Sequence, residues 1–334
     1  MSIPAPPQKL PPSARDYKRS QAAERAEALK AIHRQWRKMP QGSSWDDAWQ
    51  RVGPAINQIV TVAQRRIATA ALAYVPAVIE DTGQTQNFDA DATDVINPLV
   101  GVAGDGRPVD SLAYGAVVHS GTAYDTGSTP FQALKSGGEW LTVAMGTALS
   151  DTGREAESLA MGTRRVRTYV RMLVPPSCPR CTILAGQVSH TSQAFPRHTN
   201  CDCRNIPLNE SIAGDYTTDP HAYFHSLTKD QQNEVFGEGD AEAVRSGADI
   251  FQVVNAHRNT RLAQVGGRKV WLTSEGTTRR GFAYSRLSTS AGKDIKAGRY
   301  RRTNRPRLMP STIRRIATSR EDYLRLLYAN GYVI

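Results

Sequence analysis

The sequence predicts a mainly α fold with a small α+β lobe stapled by cysteines. The chain is expected to be elongated and multi-part, with an extended, basic C-terminal segment. Three observations carry this. Apolar residues recur at three- and four-residue steps through the first 150 or so positions, with no convincing alternation before residue 165. All four cysteines fall between Cys178 and Cys203. The stretch from Arg258 to Arg320 holds 17 Lys and Arg against two acids, Glu275 and Asp294. That is a net of +15 in a chain of net +11, so the remainder is acidic by 4.

The elements follow in order. Residues 1–12 contain five prolines and predict a flexible arm. Ser13 to Met39 is rich in Ala, Glu, Lys, Arg and Gln, which predicts a helix with Ser13 as N-cap. A second helix is expected to start at Gly53-Pro54, where proline suits a first turn. Its apolar stripe is Ile56, Ile59, Val60, Ala63, Ile67, Ala70 and Tyr74, with Arg65 and Arg66 turned away. Residues 81–106 read as a long loop, rich in Asp, Gly, Thr and Asn. Helical patterns resume over 109–120, 130–150 and 154–172, the second broken or bent at Gly137-Gly138. Thr168 to Val174 also suits a strand.

Past the cysteines, Thr228 with Gln231 three residues on predicts a capped helix start, and Gly247 stops a helix over 241–245. Residues 258–309 are expected to stay extended until they meet a partner. Pro310 to Ile334 predicts a helical hairpin with Ser311 or Thr312 as cap. The domains expected are therefore 1–12, a helical region 13–150, a Cys/His lobe 151–257, the basic segment 258–309 and the hairpin 310–334.

Some classes are excluded at once. At 334 residues, 40% apolar and 7% aromatic, the chain is long enough for more than one core but lean for a single compact enzyme domain. No run approaches the roughly 18 uncharged apolar residues of a membrane span. Met1 to Pro7 lacks the cationic start and apolar stretch of a signal peptide. A soluble protein made in a cytoplasm is expected, and there clustered cysteines point to metal before disulfides.

The cysteines read Cys178-Pro179-Arg180-Cys181, sixteen residues, then His198-Thr199-Asn200-Cys201-Asp202-Cys203. A C-x-x-C turn aims two thiolates at one point, and a second pair completes the tetrahedron of a closed zinc site. Five candidates compete for four places: four thiolates, or three with His198. Inert thiols, a disulfide and a catalytic site, with Asp202 or His190 as base, remain alternatives. The basic stretch suits a polyanion, and Arg279, Arg280, Arg299, Arg301, Arg302, Arg305 and Arg307 are the candidates for phosphate or acidic-surface contact.

Taken together, Cys178, Cys181, Phe195, His198, Cys201, Cys203, Arg204 and Pro207 resemble the motif of the MuF-like minor head protein family of tailed bacteriophages. That family usually has proline after the histidine, where this chain has Thr199. Stretches 223–227, 247–250, 253–256, 275–281 and 307–310 are similar to family versions carried by phages of actinobacteria, so the likeness covers about residue 150 to the end. The resemblance implies a minor capsid component of the virion at the portal and inner capsid wall. It would be assembled in the host cytoplasm and would act in head morphogenesis and in DNA packaging or delivery. Its partners would be the portal protein, the major capsid protein and packaged DNA, with no membrane. The 151–257 lobe would be the MuF-like part and the helical region the portal or capsid contact. Without a reading helix beside the cysteines, any DNA contact is expected to be non-specific.

No catalytic residues are predicted. The alternative is a capsid maturation protease, for which seven histidines are available but no G-x-S-x-G elbow. An ADP-ribosyltransferase fails because Ser288-Thr289-Ser290 is followed by a lone glutamate, Glu321. A metal-dependent nuclease lacks paired carboxylates in the basic stretch.

Overall fold

Helix α2 (Trp45–Asp81) begins two turns before the expected start and contains both Pro54 and Pro76. A proline inside a helix costs about 3 kcal/mol through its missing N–H and its clash with the preceding turn. Burying Trp49 and Val52 with the first turns offsets this, at about 1.5–3 kcal/mol for each large apolar side chain. Gly53 lies against the Trp49 indole, where a Cβ would sit 2.6 Å from Cε2. The structure is a computed structural model describing residues 11–40, 44–85, 93–173, 177–191, 204–208, 219–276, 295–297 and 300–333. Of the flexible arm expected over 1–12, residues 1–10 lie outside them, and Pro12 already opens the first helix.

Two units make up the chain. The first, residues 8–174 and 186–217, packs α2 with α1 (Pro12–Trp36), α3 (Val109–Asp125) and α4 (Pro130–Thr163). The predicted stripe is inside: Ile56, Val60, Ala63, Ile67 and Tyr74 are buried, and Arg65 and Arg66 are exposed. Ser13 is not the N-cap of α1; Pro11 precedes the helix, and the Ser13 N–H donates to Asp81 Oδ2 at 2.8 Å. Within the expected loop, Thr93–Leu99 forms a 3₁₀ turn.

Helix α4 is continuous through Gly137-Gly138 and past residue 150. The two glycines do not break it; they let other side chains approach its backbone. A Cβ on Gly137 would lie 2.0 Å from Ser120 Oγ and 2.6 Å from the Ala116 carbonyl oxygen, and one on Gly138 2.9 Å from Trp36. The Trp36 indole N–H donates to the Leu134 carbonyl at 2.9 Å, fixing the ring there. Thr129 and Gln132 form a reciprocal capping box at its start.

The same unit carries a three-stranded antiparallel sheet, β2–β1–β3, of β1 (Thr168–Met172), β2 (Val188–His190) and β3 (Arg204–Pro207). Tyr169, Val170 and Ile206 join one core with Tyr74, Val75, Ala160 and Met161. Tyr74 stacks on Tyr17 at 4.2 Å, and its hydroxyl donates to the Asn205 carbonyl at 2.9 Å. The boundary expected at residue 150 therefore falls inside a helix, and the strands assigned to the cysteine lobe belong with the helices.

The second unit takes in Pro175–Ala185 and Thr218–Ile334. Its helices are α5 (Pro179–Leu184), α6 (Pro220–Ser226), α7 (Lys229–Phe236), α8 (Glu238–Arg245), α9 (Ile250–Ala256), α10 (Pro310–Ile316) and α11 (Arg320–Ala329). Thr228 and Gln231 make the predicted capping box of α7, and Gly247 stops α8 at φ +92°. The final hairpin forms without its predicted cap: Met309 precedes α10, while Thr312 bonds both backbone groups of Trp271.

Where it is described, the segment expected to wait for a partner is already a sheet, β4–β5–β7–β6, of β4 (Thr260–Val265), β5 (Arg268–Glu275), β6 (Ile295–Ala297) and β7 (Tyr300–Leu308). Gly266 and Gly267, both at positive φ, form the two-residue turn joining β4 to β5. Among the described residues, no helix is long and apolar enough to cross a membrane.

Candidate metal centre and basic strands

The C-x-x-C opens α5. Cys178 is extended at the N-cap, Pro179 takes the first helical position, and Cys178 Sγ accepts the Cys181 N–H at 3.4 Å. This turn brings the two Sγ atoms to 3.3 Å, with Cys181 buried and Cys178 half-buried. The separation exceeds the about 2.05 Å of an S–S bond. It falls a little short of the about 3.8 Å edge of a tetrahedron with 2.3 Å Zn–S bonds. A small spreading of the sulfurs would admit zinc, so this half of the expected donor set fits the metal. His198, Cys201 and Cys203 lie outside the described residues. Among the described residues no three His, Cys, Asp or Glu side chains are grouped to hold a metal.

Of the seven arginines expected at a polyanion, Arg279, Arg280 and Arg299 lie outside the described residues. Arg301, Arg302 and Arg305 are placed by backbone only, in β7; Arg302 pairs in register with Glu275 on one side and Ile295 on the other. Arg307 is a correction. It is 5% exposed; Nε and Nη2 donate to the Glu275 carbonyl at 3.2 and 2.9 Å, and Nη1 donates to the Asn330 carbonyl at 2.9 Å. Its guanidinium lies 5.0 Å from the Tyr332 ring centre. A side chain so engaged in the protein does not reach a phosphate.

Other charges in the stretch are also tied down. Arg258 pairs with Glu275 at 3.3 Å, Arg314 with Glu238 at 2.6 Å and Arg320 with Glu242 at 3.4 Å. Arg261, early in β4, and Arg268 and Lys269, beside the β4–β5 turn, are exposed without an ion pair among the described residues. The sequence reading passed over these three. For Arg268 and Lys269 the signal was present: Gly266-Gly267 between two chain segments of similar length marks a hairpin, and a hairpin tip exposes what flanks it.

The same unit contains an ionisable pair, His257 Nε2 to Asp240 Oδ2 at 2.5 Å. The Asp240 hydrogen bond holds His257 above the ordinary histidine value, against burial and the Arg180 charge, which pull it down. Burial raises Asp240, with the His257 hydrogen bond opposing. A histidine raised in the folded state stabilises fully below its unfolded value of about 6.5, and that contribution is lost as pH rises through the folded value. The second unit is therefore expected to lose stability above about pH 6.5, and His257→Gln to flatten that slope. Denaturation midpoints across this range check it; an unchanged slope in the variant assigns the titration to another group.

The remaining described histidines assemble no nucleophile, base and acid set. His33 Nε2 meets Thr142 Oγ1 at 2.7 Å and His119 Nε2 meets Ser136 Oγ at 3.1 Å, neither with a carboxylate among the described residues. His257 has its carboxylate but no hydroxyl or thiol partner among them.

Compared with protein-family models, with curated proteins and with solved structures, the chain finds no match.

Proposed function

We propose that this chain is a structural minor capsid protein of a tailed phage, bound at the portal and inner capsid wall and acting in head assembly and in DNA packaging or delivery. The observation that carries the reading is the ordered motif Cys178, Cys181, His198, Cys201, Cys203, Arg204, followed in sequence by the family-like stretches to Pro310. The charge distribution supports it independently. A net of +15 over residues 258–320, with Arg268 and Lys269 exposed at a hairpin tip and Arg261 exposed on its β4 strand, suits phosphate contact without sequence reading. Zinc, held by four of the five Cys and His candidates, would supply a structural cross-link and no chemistry. The two sulfurs 3.3 Å apart on one cap turn support that role.

Two measurements on the full-length protein test this. Elemental analysis is expected to give one zinc per chain, with thiols becoming titratable on chelation. Four titratable thiols without metal would remove the cross-link. Duplex DNA should bind with a steep salt dependence, and replacing Arg261, Arg268 and Lys269 together with Gln should lower the log–log slope by up to about 3. Cleavage of the major capsid protein on co-expression would overturn the structural reading in favour of a protease.

A further inference from the structure

In the first unit the start of α2, the end of α3 and the start of α4 enclose an open cavity of about 410 Å³. That is within the roughly 300–1,000 Å³ of small-ligand sites. Three aromatic rings line it: Trp45, Tyr114 and Tyr124. Trp45 and Tyr124 meet at 75° with ring centres 5.7 Å apart, so they form a corner and not a stack. Two carboxylates, Asp46 and Asp125, share the lining, and among the described residues no cationic side chain does.

The two acids are not equally accounted for by the fold. Asp46 sits in the first turn of α2, where the helix dipole favours a negative charge, and one of its oxygens accepts the Tyr114 hydroxyl at 2.6 Å. Asp125 is the last residue of α3, at the dipole's negative end, with no basic residue in that turn. It is exposed and makes no hydrogen bond or ion pair among the described residues. A carboxylate placed against its helix, unpartnered and beside aromatic rings, makes the cavity negative where its walls are π surface. Aromatic faces carry negative potential, so rings and carboxylates attract the same ligand, a cation with an apolar body.

We propose that this cavity binds an alkyl cation, an ammonium or guanidinium group on an aliphatic stem, with Asp46 and Asp125 supplying charge and Trp45, Tyr114 and Tyr124 the apolar, π-rich walls. The same chemistry is carried by a free quaternary amine and by a lysine or arginine side chain of a protein. The site is independent of the cysteine motif and of the basic strands, and does not rest on the capsid reading.

Isothermal titration of the full-length protein tests it with four probes: choline, N-acetyl-lysine amide, N-acetyl-arginine amide, and 3,3-dimethylbutan-1-ol, the uncharged isostere of choline. At least one cation is expected to saturate while the isostere binds at least about fivefold more weakly. Preference for the amino-acid amides marks a protein side chain as the source, and preference for choline a free amine. Asp125→Asn is expected to weaken the bound cation about fivefold. The same change should raise the melting temperature, because it relieves the end of α3. Equal binding of the isostere, absence of saturable binding by all three cations, or unchanged affinity in Asp125→Asn would each overturn the proposal.

Discussion

Gly137→Ala is expected to destabilise the helical unit by about 2 kcal/mol or more, although alanine is the better helix former by about 1 kcal/mol. The new methyl would meet the Ala116 carbonyl oxygen at 2.6 Å and the buried Ser120 hydroxyl at 2.0 Å. The Ser120 rotamer can relieve only the second contact, since the first is backbone of α3. Helices α3 and α4 must then separate, which loosens Trp36 and its bond to Leu134. Gly162, near the end of the same helix, has nothing within 4 Å of its Cβ position. There Gly→Ala should stabilise by a few tenths to about 1 kcal/mol. Opposite signs in the two variants, read from hydrogen exchange in α4, check the prediction; stabilisation by both would mean that α3 and α4 are not in close contact.

Arg307→Met is expected to lower the stability of the second unit by about 3 kcal/mol or more. The arginine makes three hydrogen bonds from a charged donor, each contributing about 1.5–3 kcal/mol, and its loss leaves the Glu275 and Asn330 carbonyls short of donors. Asn330 is also the C-cap of α11, and its side chain accepts the Leu308 N–H at 2.8 Å, so one residue holds strand and helix together. Lysine is no substitute, because an ammonium cannot reproduce a planar fork of donors. The variant should leave the salt slope of DNA binding unchanged, whereas the Arg261, Arg268 and Lys269 replacement should lower that slope with little loss of stability. A reduced slope in Arg307→Met would return Arg307 to the phosphate-contacting set.

Local signals were legible where local physics decides. The stripe Ile56 to Tyr74, the Thr228 cap and the Gly247 stop each depend on residues within a few positions of one another, and each is found as read. The misreadings share a cause. Pro54 and Gly137-Gly138 carry breaker propensities that tertiary packing overrides, through the burial of Trp49 and Val52 in the helical core at one and through Trp36 with α3 at the other. Arg307 looks like its neighbours in sequence, and its inward direction is decided by the Glu275 carbonyl, 32 residues before it, and the Asn330 carbonyl, 23 residues after it. Of the candidate metal site, the C-x-x-C turn was legible because four residues determine it. Its other ligands depend on a separate stretch that begins sixteen residues on.

The hydrogen bond from Tyr74 to Asn205 spans 131 residues of chain. At a synthesis rate of about 5–20 residues per second, roughly 7 to 26 s separate the appearance of its two ends. During that interval α1, α2 and later α4 can assemble, but the surface of Val75, Val78, Ala160 and Met161 has no sheet to cover it. The nascent helical unit is therefore sticky on one side for many seconds. Its yield in the cell depends on how quickly the strand at 204–207 leaves the ribosome and docks.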